Sequence, residues 1–184
     1  MLFRSNMFSH AKNFEIYEGN ILDWLKTFES NGETVKVLGS LPYYITSPII
    51  ESLIKLQPQP EVCVLLMQRE VVEKICSRPP ESNFWSSFVQ TFYNVEDLGV
   101  VDKSQFSPEP QVDGAILKLT KGTAGENIDI RKYEGFLKRA YSNPRKMLNK
   151  IFYEDERNRA EIDGSLRAQD YGWEDWVRIF KILV

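Results

Sequence analysis

Four consecutive residues, Ser40-Leu41-Pro42-Tyr43, have the types needed to hold a planar ring by one edge and one face. They lie in the run LGSLPYYITSPII, residues 38 to 50, just after an apolar stretch. Pro42 would aim backbone carbonyls into a cleft beside the Ser40 hydroxyl, and Tyr43 offers a flat face for stacking. An enzyme that modifies an exocyclic amine takes the base out of its stack and reads its edge between aromatic faces. Hydrogen-bond acceptors aimed at that amine favour the charge that develops on nitrogen during alkyl transfer. The same residues also make an ordinary strand-to-helix turn, and pattern alone leaves both readings open.

The surrounding elements must place this loop. Phe14 to Tyr17 reads as a short strand, Ile21 to Phe28 as a helix closed by the Asn31-Gly32 turn, and Val35 to Leu38 as the next strand. Gly39 to Pro48 follows as a loop, with Pro48 opening a helix that runs to Leu56. Val62 to Met67 is a continuous apolar run, which predicts a central strand buried on both faces. Helices are expected over Arg69 to Cys76 and Phe84 to Phe92. Val95 to Val101 and Val112 to Leu119 read as a closing antiparallel pair around the proline-rich FSPEP loop. Strands alternating with helices imply an α/β domain over residues 1–121 with a mostly parallel sheet and covered faces. A loop past the C-terminal end of a parallel strand is where such sheets place ligands. After Lys121, GTAGEN reads as a linker, and residues 128–184 as a small all-helical C-terminal domain.

Composition narrows the class. In 184 residues, 42% hydrophobic and 27% charged content is ordinary for a globular protein. No run approaches the roughly 18 apolar residues of a membrane helix, so the expectation is a cytoplasmic protein without a membrane partner. Cys63 and Cys76 lack metal-ligand spacing and read as reduced thiols, with no metal site. His10, the one histidine, reads as non-catalytic. A net charge of −3 argues against general polyanion binding. From Arg131 to Arg159, however, basic residues outnumber acidic ones by about two to one. Lys138, Arg139, Arg145, Lys146 and Lys150 fall on neighbouring turns, where they would track RNA phosphates or simply form a solvated face.

LGSLPYYITSPII resembles the Asn-Leu-Pro-Tyr motif of the ribosomal RNA adenine N6,N6-dimethyltransferases. VCVLLMQREVVEKI is similar to the strand and helix that follow it in that family. QFSPEPQVDGAILKL resembles the family's Phe-x-Pro-x-Pro-x-Val-Asp-Ser segment, and FLKRAYSNPRKMLNKIF the start of its helical C-terminal domain. The resemblance implies a Rossmann-like class I methyltransferase sheet followed by a small helical domain. It also implies S-adenosyl-L-methionine as cofactor, and two adjacent adenines of small-subunit rRNA, in the immature small ribosomal subunit, as substrate. Ser40 matches the family asparagine that accepts from the target amine, together with a backbone carbonyl at Pro42 or its neighbour Leu41. Tyr43 matches the aromatic stacked on the adenine, and Phe106 an aromatic closing its other side. Gly19-Asn20-Ile21 resembles the loop whose acidic residue contacts the cofactor adenine, with Ser40 also beside the cofactor.

Three departures qualify this. Serine is shorter than asparagine and donates as well as accepts, so methyl transfer is expected to be impaired. Asn20 keeps a carbonyl for an adenine amine, a milder change. The resemblance places the family's first strands, its glycine-rich cofactor loop and an acidic ribose ligand ahead of residue 14, yet no Gly-x-Gly occurs in the chain. The expectation is therefore an N-terminally truncated, monomeric family member, with the Val35 strand left at an edge. Two alternatives stand beside it: a non-catalytic rRNA-binding assembly factor derived from the family, and an adenine methyltransferase acting on another nucleic acid.

Overall fold

Apolar runs lay down a four-stranded sheet. In the computed structural model, which describes residues 15–184, the strands are β1 (Lys36–Ser40), β2 (Val62–Gln68), β3 (Tyr93–Val101) and β4 (Gly114–Lys121), ordered β1-β2-β4-β3. β2 is central. Cys63, Leu65 and Met67 are buried on one face, while Val62, Val64 and Leu66 on the other are half-buried. The continuous apolar run is thus one dry face and one partly covered one.

The pairing differs from a mostly parallel sheet. Among the described residues β1 and β2 run parallel, but β4 is antiparallel to both β2 and β3. The connections explain this. β1 reaches β2 through the helix α2 (Thr46–Lys55), a crossover that returns the chain in the same direction. β3 reaches β4 through residues 102–113, which hold only the short 3-10 turn Lys103–Gln105, so the chain doubles back. The expected antiparallel pair is present, with a bulge between Asp97 and Gly99.

The Phe14 to Tyr17 strand is not formed over its described part; Phe14 and His10 lie outside the described residues. Ile16 and Tyr17 are exposed, and Tyr17 leans on Trp24 of α1 (Ile21–Thr27), ring centroids 6.2 Å apart. No strand among the described residues offers this alternating run a ladder, and the outer edge of β1 has no strand beside it there. α2 begins at Thr46, so Pro48 is its third residue, where a missing N–H still costs nothing. Gly39 and Ser40 belong to β1, and the loop starts at Leu41.

Helices α3 (Arg69–Cys76) and α4 (Phe84–Phe92) pack on the sheet. Asn83 caps α4 by accepting from the N–H groups of Trp85 and Ser86, at 2.9 and 3.1 Å. α4 then joins α5 (Ile130–Ala140) and α7 (Trp173–Leu183), with α6 (Glu154–Ala160) behind. An aromatic ladder runs through this contact: Phe88–Phe92 at 5.6 Å, Phe92–Tyr133 at 6.1 Å, and Tyr133–Phe180 at 5.0 Å between centroids. Such edge-to-face pairs add about 0.5–1.5 kcal/mol each beyond area burial. The buried Tyr133 hydroxyl meets Thr91 at 2.9 Å, so its polar atom is satisfied. The GTAGEN segment lies against α4; a β-carbon on Gly125 would stand 2.3 Å from the Phe92 ring. Cys63 and Cys76 are free thiols, and burial pushes that of Cys63 up to about 12.

Candidate active site

Ser40 is the last residue of β1, level with Leu66 of β2. The Leu41 N–H donates to the Leu66 carbonyl at 2.8 Å, which carries the pairing one residue past the strand and fixes the loop's departure. Pro42 then turns the chain into a 3-10 turn at Tyr43–Ile45. The Pro42 carbonyl is consumed by that turn, accepting from the Ile45 N–H at 3.1 Å and the Thr46 hydroxyl at 3.2 Å. The Leu41 carbonyl accepts no hydrogen bond from the described residues. Of the two carbonyls considered from sequence, Leu41 supplies the free one.

Ser40, Leu41 and Pro42 line a cleft of about 900 Å³ together with Gly19, Asn20 and Ile21. Trp24, Ile49 and Leu53 give it apolar walls. Asn20 is also the cap of α1, its side-chain carbonyl accepting from the Leu22 N–H at 3.0 Å. Its amide nitrogen is the group left to face a ligand, which alters the contact expected from its carbonyl.

The tyrosine doublet divides. Tyr43 is half-buried, its hydroxyl is enclosed without a hydrogen-bond partner, and it is not part of the cleft wall. Tyr44 is 85% exposed and does line the cleft. Sequence reasoning passed over Tyr44; the Tyr-Tyr repeat was its one signal, since successive residues in a tight turn project differently.

Phe106 stands on the β3–β4 connection. Asp102 accepts from the Ser104 N–H at 2.8 Å, and Asp113 from the Lys103 N–H at 3.1 Å, so carboxylates at both ends pin this loop. The Phe106 ring reaches Gly114, at the start of β4, near the Leu66 side chain. Phe106 and Leu66 therefore lie by the C-terminal ends of the parallel strands, outside the cleft wall itself.

The basic residues separate into two groups. Lys138 pairs with Glu134. Arg139 binds Glu156 through two nitrogens at 2.5 and 2.7 Å, donates to the Ile151 carbonyl at 2.9 Å and lies over the Phe152 ring. The hydrogen bonds to Glu156 raise the Arg139 pKa and lower that of Glu156. Arg145, Lys146 and Lys150 are exposed and form no ion pair among the described residues.

For an adenosyl cofactor, the described residues fit one end. Ile21 and Leu41 offer apolar walls for an adenine ring, and the free Asn20 amide a donor to its edge. No carboxylate stands among the described cleft-lining residues to receive ribose hydroxyls. Among the described residues there is no His/Cys/Asp/Glu cluster suited to a metal and no helix long and apolar enough to cross a membrane.

The profile of the ribosomal RNA adenine dimethylase family matches residues 2–184. A Sulfurihydrogenibium protein described as ribosomal RNA small subunit methyltransferase A is 34% identical over 181 residues, which cover 96% of this chain and 69% of that protein. A protein of the same description from Persephonella marina is 30% identical over 177 residues, 94% of this chain and 66% of its own length. The chain thus spans about two thirds of these relatives. The crystal structure of a dimethyladenosine transferase from Plasmodium falciparum superposes with a TM-score of 0.78 at 21% identity, over 95% of this chain and 74% of that one. That of the 23S rRNA methyltransferase ErmE gives 0.70 at 22%, over 97% and 75%. Both likenesses carry the fold, a Rossmann-like methyltransferase sheet with helices. The sheet order, the Ser-Leu-Pro-Tyr strand end and the match over nearly the whole chain lead to one conclusion: this chain belongs to the ribosomal RNA adenine dimethylase family.

Proposed function

We propose that the chain carries the acceptor side of an adenine N6 methyl-transfer site for small-subunit rRNA, with S-adenosyl-L-methionine as methyl donor. The observation that carries this reading is the Leu41 carbonyl, left without a hydrogen bond among the described residues and next in the chain to Ser40, in a cleft that Ser40, Leu41 and Asn20 all line. Two oxygen acceptors at one strand end suit the two hydrogens of an exocyclic amine. Held this way, the amine keeps its lone pair directed away from the acceptors, and the charge that grows on nitrogen in the transition state is stabilised by them. The sulfonium of the bound cofactor supplies an electrophilic methyl group. Gly19, Asn20 and Ile21 hold its adenine end, and Ser40 stands between cofactor and base.

In this reading Tyr43, with its half-buried ring, and Phe106, on the pinned loop, bracket the base at the strand end, outside the wall of the cofactor cleft. A second adenine next to the first would be served by the same acceptors. Residues 128–184 form a helical RNA-binding domain in this reading, with Arg145, Lys146 and Lys150 on the phosphates. Lys138 and Arg139 contribute by holding that surface together. The partner is the immature small ribosomal subunit in the cytoplasm, engaged by a monomer.

The test is incorporation of labelled methyl groups into immature small subunits, scored by nuclease digestion and separation of dimethyladenosine. Dimethyladenosine at two adjacent positions is the expected product. Subunit binding with no methyl transfer, alongside measurable cofactor binding, would replace the enzyme with an rRNA-binding assembly factor.

A further inference from the structure

A second cleft, sharing no lining residue with the first, lies where the N-terminal end of α4 faces the segment that follows α5. Its volume is about 380 Å³. Phe84, Trp85, Tyr141 and Pro144 form the walls, and Lys74 and Gln169 stand at its margin. Trp85 sits at the second position of α4, half-buried and apart from the aromatic ladder. Its ring is nearly perpendicular to that of Phe84, 80° at 5.3 Å, so Phe84 does not stack on its face.

Two polar groups here are unspent. Neither the Trp85 indole N–H nor the Gln169 side-chain amide forms a hydrogen bond among the described residues, whereas the neighbouring Tyr141 hydroxyl is engaged by Ser87 at 2.8 Å and the Trp176 indole at 2.9 Å. Here Trp85 and Gln169 line one cleft, and both side chains keep hydrogen-bonding groups without a partner among the described residues. A flat ligand with hydrogen-bonding edges suits such a place better than an aliphatic side chain does.

The charge around the cleft selects the ligand class. No carboxylate lines it. Lys74 at its margin is paired with Glu70, but Arg145 and Lys146 directly follow Pro144 in the chain and are exposed without ion-pair partners among the described residues. An aromatic slot with exposed, unpaired cations on the chain segment next to it is an arrangement that suits single-stranded nucleic acid, with base on ring and phosphate on cation. We propose that this cleft is a stacking subsite for one unpaired RNA base, seated on Trp85 and against Pro144, with its edge toward Gln169 and its flanking phosphates toward Arg145 and Lys146. This deepens the RNA-binding reading above and depends on it.

The test uses the full chain, an unstructured RNA hexanucleotide and a blunt RNA duplex. Tryptophan fluorescence is followed on titration of the wild type and Trp85→Phe, and affinities are measured for both RNAs with Trp85→Ala and with Arg145→Ala/Lys146→Ala. The hexanucleotide is expected to quench the wild type, and Trp85→Phe is expected to lose most of that quench while keeping its fold. Trp85→Ala should weaken hexanucleotide binding about 5- to 100-fold, the effect of losing one stacked base, with duplex affinity unchanged. Equal quenching in Trp85→Phe, or unchanged hexanucleotide affinity in Trp85→Ala, overturns the subsite. If the double charge variant still loses affinity for both RNAs in that case, the basic surface stands without the subsite. Absence of binding to either RNA by the wild type overturns both readings together.

Discussion

The Phe106 ring stands 3.1 Å from the place a β-carbon on Gly114 would occupy, and the Leu66 side chain stands at the same distance. The aromatic of the β3–β4 loop is therefore seated on a residue without a side chain. Gly114→Ala would displace both groups by a few tenths of an ångström, at a cost of about 1 kcal/mol for mild overpacking. If Phe106 brackets the base as proposed, its misplacement should lower turnover about tenfold, whereas cofactor affinity, assigned by the same proposal to the cleft lined by Gly19, Asn20 and Ile21, should not change. The check is methyl-transfer rate against cofactor binding in the same preparation. Unchanged turnover with Phe106 demonstrably shifted would remove Phe106 from the site.

Ser40→Asn restores a fixed side-chain carbonyl at the end of β1, beside the free Leu41 carbonyl. One added hydrogen bond to a nitrogen gaining positive charge contributes about 1.5–3 kcal/mol. The expected result is a rise of about 10- to 100-fold in methyl transfer to immature subunits under single-turnover conditions. A rate that stays level would mean the Ser40 side chain does not face the amine.

Sequence alone placed the loop that lines the candidate site, while the local geometry within it was not legible, for definable reasons. VCVLLM announced β2, and the Leu-Pro-Tyr run placed the loop, because apolar period and proline geometry are local properties. The β3–β4 antiparallel pair was legible as well, but the place of β4 between β2 and β3 was not, since strand order depends on pairing between segments distant in the chain. The Pro42 carbonyl was spent on Ile45 and Thr46, which no composition rule reveals. Arg139 and Arg145 look alike as charges, yet only Arg139 meets a carboxylate, Glu156, 17 residues further along the chain. Tyr43 and Tyr44 were equally eligible until the turn sent one inward and the other out.

Tyr43 and Tyr44 can be separated experimentally. The Tyr43 hydroxyl is enclosed and unpaired, so Tyr43→Phe removes a desolvated group and is expected to stabilise the fold by about 1 kcal/mol, a rise of about 2–4 °C in melting temperature for a chain of this size. The ring remains, so methyl transfer should persist. Tyr44→Ala should leave stability within about 0.5 kcal/mol, as for other exposed positions, and weaken binding of whatever the cleft holds. A lowered melting temperature in Tyr43→Phe would show that the hydroxyl has a partner.

Lys55 on α2 and Glu134 on α5 form a 2.6 Å ion pair, and Lys55 also reaches Glu51. Burial raises the Glu134 carboxyl pKa, but hydrogen bonds from Lys138 and Lys55 outweigh it, and the net displacement is downward from 4.5. A carboxyl depressed on folding contributes stability that is fully present above its unfolded value and is lost as pH falls through the folded one. Glu134→Gln should therefore lower stability by about 1–2 kcal/mol at neutral pH, less than for a fully buried pair because both lysines reach water. The difference from wild type should shrink below about pH 4.5. Urea midpoints at pH 7 and pH 3 provide the check; an equal deficit at both would assign the effect to packing.

The two groups of cations should respond differently to salt. Arg145, Lys146 and Lys150 have no internal partners among the described residues, so each phosphate they neutralise releases a counterion. Replacing all three with alanine is expected to leave the melting temperature unchanged and to reduce the slope of log K against log salt by about 2 for single-stranded RNA. Arg139→Ala breaks the Glu156 clamp and the contact with Phe152, so it should lower the melting temperature instead. Stability falls there because a half-buried carboxylate loses its partner, at a cost of about 1–3 kcal/mol. Binding isotherms at four salt concentrations, read beside thermal melts, distinguish the two. A triple variant with the wild-type slope would place the RNA phosphates on another face of the molecule.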